Sequence, residues 1–228
     1  HIQFGEGSDI LFLHGWGGST VSFYGLAKQL SAAHRVTLVD FYGFGETPHP
    51  DYPLTLDNFV SSVIDLINFY EMKDVSIVGH SFGGRIALKL ACKYGYLLDK
   101  MVLIDSAGIR PRRGIKYYYK VFSHKIFTKL KIPHKAGSAD YRSLNSVRKK
   151  TFVNIVNENL RPILKNITLP TLIIWGEKDK DTPMYMAKIL HREISGSGLV
   201  VHKGAGHYSY LDCPRETYLI LNSFFGEV

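Results

Sequence analysis

The sequence predicts an α/β fold: a mostly parallel sheet with helices on both faces, interrupted late by a helical insertion. Three observations predict it. Short apolar runs alternate with amphipathic stretches, which is the order that builds a parallel sheet. The runs are continuous in Val, Ile and Leu, as in strands buried on both faces. The alternation breaks once, between about Ile109 and Lys165, where aromatic and basic residues stand in helix-compatible patterns without a buried strand.

Taken in order, the strand candidates are Asp9–Leu13, Arg35–Asp40, Val75–Gly79, Met101–Asp105, Thr171–Trp175 and Gly198–His202. His1-Ile-Gln-Phe-Gly-Glu6 reads as the end of an early strand, and the expectation is that a first strand or hairpin is missing. Between the runs lie helices. Thr55 is a capping-type residue ahead of Phe59, Val63, Leu66, Ile67 and Tyr70, which recur at spacings of three and four. Pro183 and Pro214 each suit the first turn of a further helix. The stretch from 109 to 165 is too long for a simple loop. It is expected to be a cap over the C-terminal edge of the sheet, where open α/β sheets bind ligands. The domain division is therefore a core of 1–108 and 166–228 with a cap of 109–165.

The chain has 228 residues, 45% of them hydrophobic and 21% charged, enough to bury a full core. No run approaches the roughly 18 apolar residues of a membrane span. Cys92 and Cys213 form neither a disulfide framework nor a metal-ligand spacing. With no signal-peptide pattern at His1, a reducing, cytoplasmic setting is expected. The net charge of +8 is uneven: residues 110–165 hold fifteen Lys/Arg against Asp140 and Glu158, and the remainder is acidic. A solvated helical face accounts for such a run, and so does steering of an anionic substrate or carrier. No nucleic-acid-binding motif accompanies it, so no nucleic-acid partner is expected.

The chemistry is written in Val75-Ser-Ile-Val-Gly-His-Ser-Phe-Gly-Gly84. Gly79-His-Ser-Phe-Gly83 matches the G-x-S-x-G elbow in its proper frame, a strand before and a helix after. The turn holds Ser81 in a strained conformation, and side chains at 79 and 83 would meet neighbouring backbone. The following helix points its N-terminus at the serine and favours negative charge there. A serine needs a base, and the base an orienting acid. His207 sits in a glycine-rich loop after the last strand and is the base candidate among ten histidines. Asp179, just past Trp175-Gly-Glu-Lys, is the favoured acid, with Asp181 and Asp105 as alternatives. Backbone N–H groups of Trp16 and Phe82 are the candidate oxyanion donors. His14 and His80 read as bracing and packing residues.

These motifs stand in the order of the α/β-hydrolase superfamily, which the chain resembles over essentially its whole length. They are His14-Gly-Trp-Gly-Gly18, Phe41-Tyr-Gly-Phe-Gly-Glu-Thr47, the elbow, Trp175-Gly-Glu-Lys-Asp179 and Gly206-His207. The resemblance implies a cap before the acid-bearing strand and no metal or organic cofactor. A serine nucleophile separates the chain from the dehalogenase and epoxide-hydrolase branches, which carry aspartate there. The likeness is to short-capped serine esterases, so the expected activity is hydrolysis of a small-molecule carboxylic ester or thioester, anionic or carrier-bound, through an acyl-enzyme. The alternatives are carbon–carbon cleavage of vinylogous diketones and a slow-turnover ligand receptor with an intact triad. Tyr117, Tyr118 and Phe122 are expected to line an acyl pocket, although a packed cap core accounts for them equally well.

Overall fold

Every one of the six apolar runs is a strand in the computed structural model, which describes residues 1–112 and 144–226. Seven strands form one sheet: β1 (Ile2–Phe4), β2 (Ser8–Leu13), β3 (His34–Leu38), β4 (Val75–His80), β5 (Leu98–Ile104), β6 (Thr171–Gly176) and β7 (Gly198–His202). The spatial order is β1-β3-β2-β4-β5-β6-β7, and only β1 runs antiparallel, on β3 at the edge. The early residues are thus a strand in their own right. The chain steps from β2 outward to β3 and then crosses back to β4, so the strand order reverses between β2 and β4. A crevice opens at such a reversal, beyond the C-terminal ends of the strands.

Strand residues alternate between two apolar layers, as the pleat requires. Leu11, Leu13, Ile77, Met101, Leu103 and Trp175 face one layer, and Ile10, Phe12, Val78, Val102, Ile104 and Ile174 face the other. The first layer is closed by α2 (Leu56–Phe69), α3 (Phe82–Tyr94) and α5 (Tyr185–Glu193), and the second by α1 (Tyr24–Leu30) and α6 (Pro214–Phe225). Thr55 caps α2 in a reciprocal box with Asn58. Pro214 occupies the first turn of α6. Pro183, in contrast, precedes its helix by two residues, because Thr182 is held in a turn by the Asp179 carboxylate.

Within residues 109–165 the structure describes a helix, α4 (Ser146–Asn157), and the 3₁₀ segment Arg161–Asn166 follows it. α4 docks on the loop after β3. Thr151 Oγ1 accepts from Leu54 N at 2.9 Å, Asn154 Nδ2 donates to Leu54 O at 3.0 Å, and Arg148 donates to Gly43 O at 2.7 Å. Leu160 N donates to Gly108 O at 3.2 Å, which stitches the two ends of the insertion together. No helix among the described residues is long and apolar enough to cross a membrane.

Candidate active site

Four loops meet at the C-terminal edge of the sheet, and each follows directly from a strand. β4 ends in the elbow. Ser81 has φ 48° and ψ −107°, outside the regions a side chain favours. Its N–H donates to Ile104 O on β5 at 3.1 Å, and its carbonyl accepts from Ala107 N at 3.0 Å, so the strained turn is held from both sides. A Cβ on Gly83 would lie 2.0 Å from Leu13 O on β2, and one on Gly79 would lie 2.7 Å from the Gly83 carbonyl. Only glycine lets the strand and helix approach this closely.

The loop after β7 brings His207 to the serine: His207 Nε2 lies 3.0 Å from Ser81 Oγ. The turn after β6 brings Asp179, whose Oδ2 is 2.8 Å from His207 Nδ1. Ser81, His207 and Asp179 thus form a continuous hydrogen-bonded line. Burial raises the Asp179 carboxyl, but hydrogen bonds from His207 and Thr182 outweigh it and hold the group below the ordinary aspartate value. Burial lowers His207, but the hydrogen bond and charge of Asp179, with the charges of Asp181 and Asp105, lift it above its ordinary value. An ionised Asp179 makes Nδ1 the protonated nitrogen of a neutral His207. Nε2 is then left to accept from the serine hydroxyl.

Asp181 and Asp105 occupy other places. Asp181 is exposed, lines the cavity beside Ser81 and makes no hydrogen bond to His207. Asp105, fully buried at the end of β5, accepts from Gly176 N at 2.7 Å and from Ser209 N at 2.9 Å. It ties the end of β6 to the segment just after His207. Burial raises its carboxyl to about 6 despite those hydrogen bonds.

The His14–Gly18 loop after β2 closes the other side of the crevice. A Cβ on Gly15 would stand 3.4 Å from the Ser81 Cβ, so this backbone runs alongside the serine. Trp16, Ser81 and Phe82 share one cavity wall. Phe82 N–H belongs to the first turn of α3, where backbone donors have no intrahelical acceptor. His14 braces the loop: Nδ1 donates to Gly15 O at 2.7 Å and Nε2 accepts from Phe41 N at 3.2 Å, and burial lowers its pKa. Burial pushes His80 down to about 3, so it is neutral, and its Nε2–H donates to the His207 carbonyl at 2.8 Å.

Two contributors escape a reading of motifs. Thr182 Oγ1 lies 2.6 Å from Asp179 Oδ2 and 3.0 Å from Asp105 O, and its N–H donates to Asp179 Oδ1 at 2.9 Å. The Asp179-x-x-Thr182 spacing, typical of an aspartate capping its own turn, is the signal that points to it. Phe152 on α4 stacks edge-on against Trp16 at 5.0 Å and reaches the cavity from above. Tyr117, Tyr118 and Phe122 lie outside the described residues. Donor atoms of Asp179, Asp181 and His207 also fall within 4.8 Å of one another, the span of a metal site. There, however, Asp179 and His207 Nδ1 already satisfy each other, which is poor chemistry for a cation site.

The comparisons agree with this fold. The model of the alpha/beta hydrolase family matches residues 10–218. The chain belongs to that family. The chain is 25% identical to the pimeloyl-[acyl-carrier protein] methyl ester esterase of Aeromonas salmonicida, over 98% of both chains. It is 24% identical to the 2-hydroxy-6-oxo-6-(2'-aminophenyl)hexa-2,4-dienoic acid hydrolase of Metapseudomonas resinovorans, over 95% of this chain and 83% of that one. Among solved structures, an esterase from Exiguobacterium antarcticum superposes with a TM-score of 0.81 at 25% identity, covering 98% of this chain and 93% of its own. This alpha/beta hydrolase is therefore similar to esterases and to a hexa-2,4-dienoic acid hydrolase alike.

Proposed function

We propose that this alpha/beta hydrolase cleaves a carboxylic ester or thioester of a small molecule through an acyl-enzyme on Ser81. The observation that carries the reading is the line from Ser81 Oγ through His207 to Asp179, at 3.0 and 2.8 Å, opening into a cavity of about 610 Å³. Ser81 Oγ attacks the carbonyl carbon as His207 Nε2 takes its proton. Asp179 holds the imidazole in the right tautomer and stabilises the cation that forms. The oxyanion faces the N–H groups of Phe82 and Trp16 at the positive end of α3. The intermediate expels the alcohol or thiol, protonated by His207. Water then repeats the sequence with His207 as base, and the acid leaves. Residues 109–165 form the cap of this site, and no metal or organic cofactor takes part.

The supports are the base–serine distance, the apolar wall of Trp16, Phe82, Phe152, Ile155 and Met186 beside the serine, and the esterase relatives. The test is turnover of a p-nitrophenyl ester series beside a thioester and a vinylogous diketone, with Ser81→Ala as control. Multiple turnover of esters or thioesters, lost by about 10⁴–10⁶ in kcat in Ser81→Ala, is expected. Turnover of the diketone alone moves the reading to carbon–carbon hydrolysis. A stall after one event makes the chain a ligand receptor.

A further inference from the structure

The wall of the same cavity contains a buried guanidinium that the mechanism does not use. Arg85 stands four residues past Ser81 on α3, so their Cα atoms are on the order of 6 Å apart along the helix. It is 5% exposed and lines the cavity with Ser81, His207 and Arg112. Only Nη2 is engaged, donating to the carbonyls of Ile155, at 2.7 Å, and Glu158 at the end of α4. Nε is buried with no hydrogen-bond partner, and among the described residues no hydrogen bond reaches Nη1.

No carboxylate pairs with Arg85 among the described residues. The nearest acid in charge terms, Glu158, is held by Lys89 at 2.6 Å. Burial lowers Arg85 to about 10, which still leaves it charged at neutral pH. Closing the end of α4 uses a single nitrogen and does not require a full guanidinium. A buried charge normally has a counter-charge beside it, because desolvation without one is costly. Among the described residues no carboxylate bonds to Arg85, whose only acidic influence is the charge of the Lys89-bound Glu158, and Arg85 lines the cavity that contains Ser81. Arg112, stacked over Tyr185 at 4.7 Å, adds a second cation to the same wall.

We propose that Arg85 receives a carboxylate carried by the part of the substrate lodged in this cavity, so that the preferred substrates are esters or thioesters of short dicarboxylic acids. The proposal rests on the ester-hydrolase reading for its substrate class, but not for its anion site. The apolar wall accepts the methylenes between the two carboxyl carbons, and the charge at Arg85 selects a chain that ends in an anion.

The experiment compares mono-p-nitrophenyl glutarate with p-nitrophenyl pentanoate, a neutral ester of equal length, in wild type, Arg85→Gln and Arg85→Lys. A charged hydrogen bond in a buried site corresponds to roughly 10–100-fold. The wild-type kcat/KM should favour the glutarate ester by that factor, and the preference should vanish in Arg85→Gln and persist in part in Arg85→Lys. The ratio of two substrates on one preparation does not depend on how much of a variant is folded. Calorimetric binding of glutarate to wild type and to Arg85→Gln reads the anion site without turnover. Equal kcat/KM for the two esters, with glutarate binding unchanged by Arg85→Gln, overturns the proposal and leaves ester hydrolysis standing. Arg85-dependent glutarate binding without hydrolysis of any ester upholds the anion site and removes the esterase reading. A glutarate preference that survives Arg85→Gln also overturns the assignment.

Discussion

At the scale of single residues, the site separates one carboxylate that orients His207 from two that only surround it. Asp179 is fully buried at its side chain and bonded to the imidazole, whereas Asp181 and Asp105 act on His207 through charge. The three therefore fail in different ways. Asp179→Asn should cost roughly 10³–10⁴ in kcat with little change in KM, because the wrong tautomer of His207 is then favoured. His207 works in its neutral form and its pKa lies above the ordinary histidine value, so kcat/KM should rise with pH through a midpoint above 6.5. Asp181→Asn removes one charge that raises that pKa, so the midpoint should move to lower pH while the hydrogen-bonded line stays intact. The pH–rate profiles of the two variants check both statements. If Asp105→Asn proved crippling and Asp179→Asn stayed active, the acid would be Asp105.

Residue types and local spacing made Ser81, His207 and Asp179 legible, because each sits in a short motif beside an apolar run. Arg85 and Thr182 were not legible as parts of the site. Arg85 depends on carbonyls 70 and 73 positions away, and Thr182 on Asp105 O, 77 positions away. Only the fold brings such distant partners together; the Asp179-x-x-Thr182 spacing announces the local turn but not the bond to Asp105 O, and nothing local announces Arg85. His80 is an intermediate case. Its position in the elbow marked it as packing, and its bond to the His207 carbonyl is visible only in three dimensions.

At the scale of elements, the elbow works because α3 lies almost in contact with β2 and β4. That approach makes the same substitution opposite in sign at two glycines of one helix region. Gly83→Ala would drive a methyl into Leu13 O, and overpacking of this kind typically costs about 1–3 kcal/mol. Gly95, at the end of α3, has helical backbone at φ −56° and nothing within 4 Å of its would-be Cβ. Gly95→Ala should instead stabilise by about 0.4–1 kcal/mol, through the unfolded chain. Urea denaturation of the two variants measures the contrast, and equal effects would contradict the packing described for α3. The strands were readable from their apolar runs, since burial on both faces leaves little else that such a run can be. Their ends were less so: β5 begins at Leu98 rather than Met101, and β3 stops at Leu38, where Asp40 turns to bind Thr20 N and Glu46 N.

At the scale of the whole molecule, an acidic remainder surrounds a basic stretch in the sequence, residues 110–165, of which the structure describes 110–112 and 144–165. The part that includes α4 is fastened to α3 by Arg85, which donates to Ile155 O and Glu158 O, and by Lys89, which binds the Glu158 carboxylate, while Arg110 of the same stretch donates to Asn157 O. Net charge could be read from the sequence, but the direction in which it faces could not, because α4 has weak apolar periodicity and its packing comes from side chains of other elements. The account as a whole stands on one claim, that Ser81 carries the acyl group during turnover. Mass spectrometry of Asp179→Asn protein, acid-quenched during turnover of a p-nitrophenyl ester, tests it most directly, because slowed deacylation lets the intermediate accumulate. The account predicts one acyl group per chain, on the peptide containing Ser81 and absent from Ser81→Ala. An acyl adduct on another residue, or undiminished turnover by Ser81→Ala with no adduct, would contradict it.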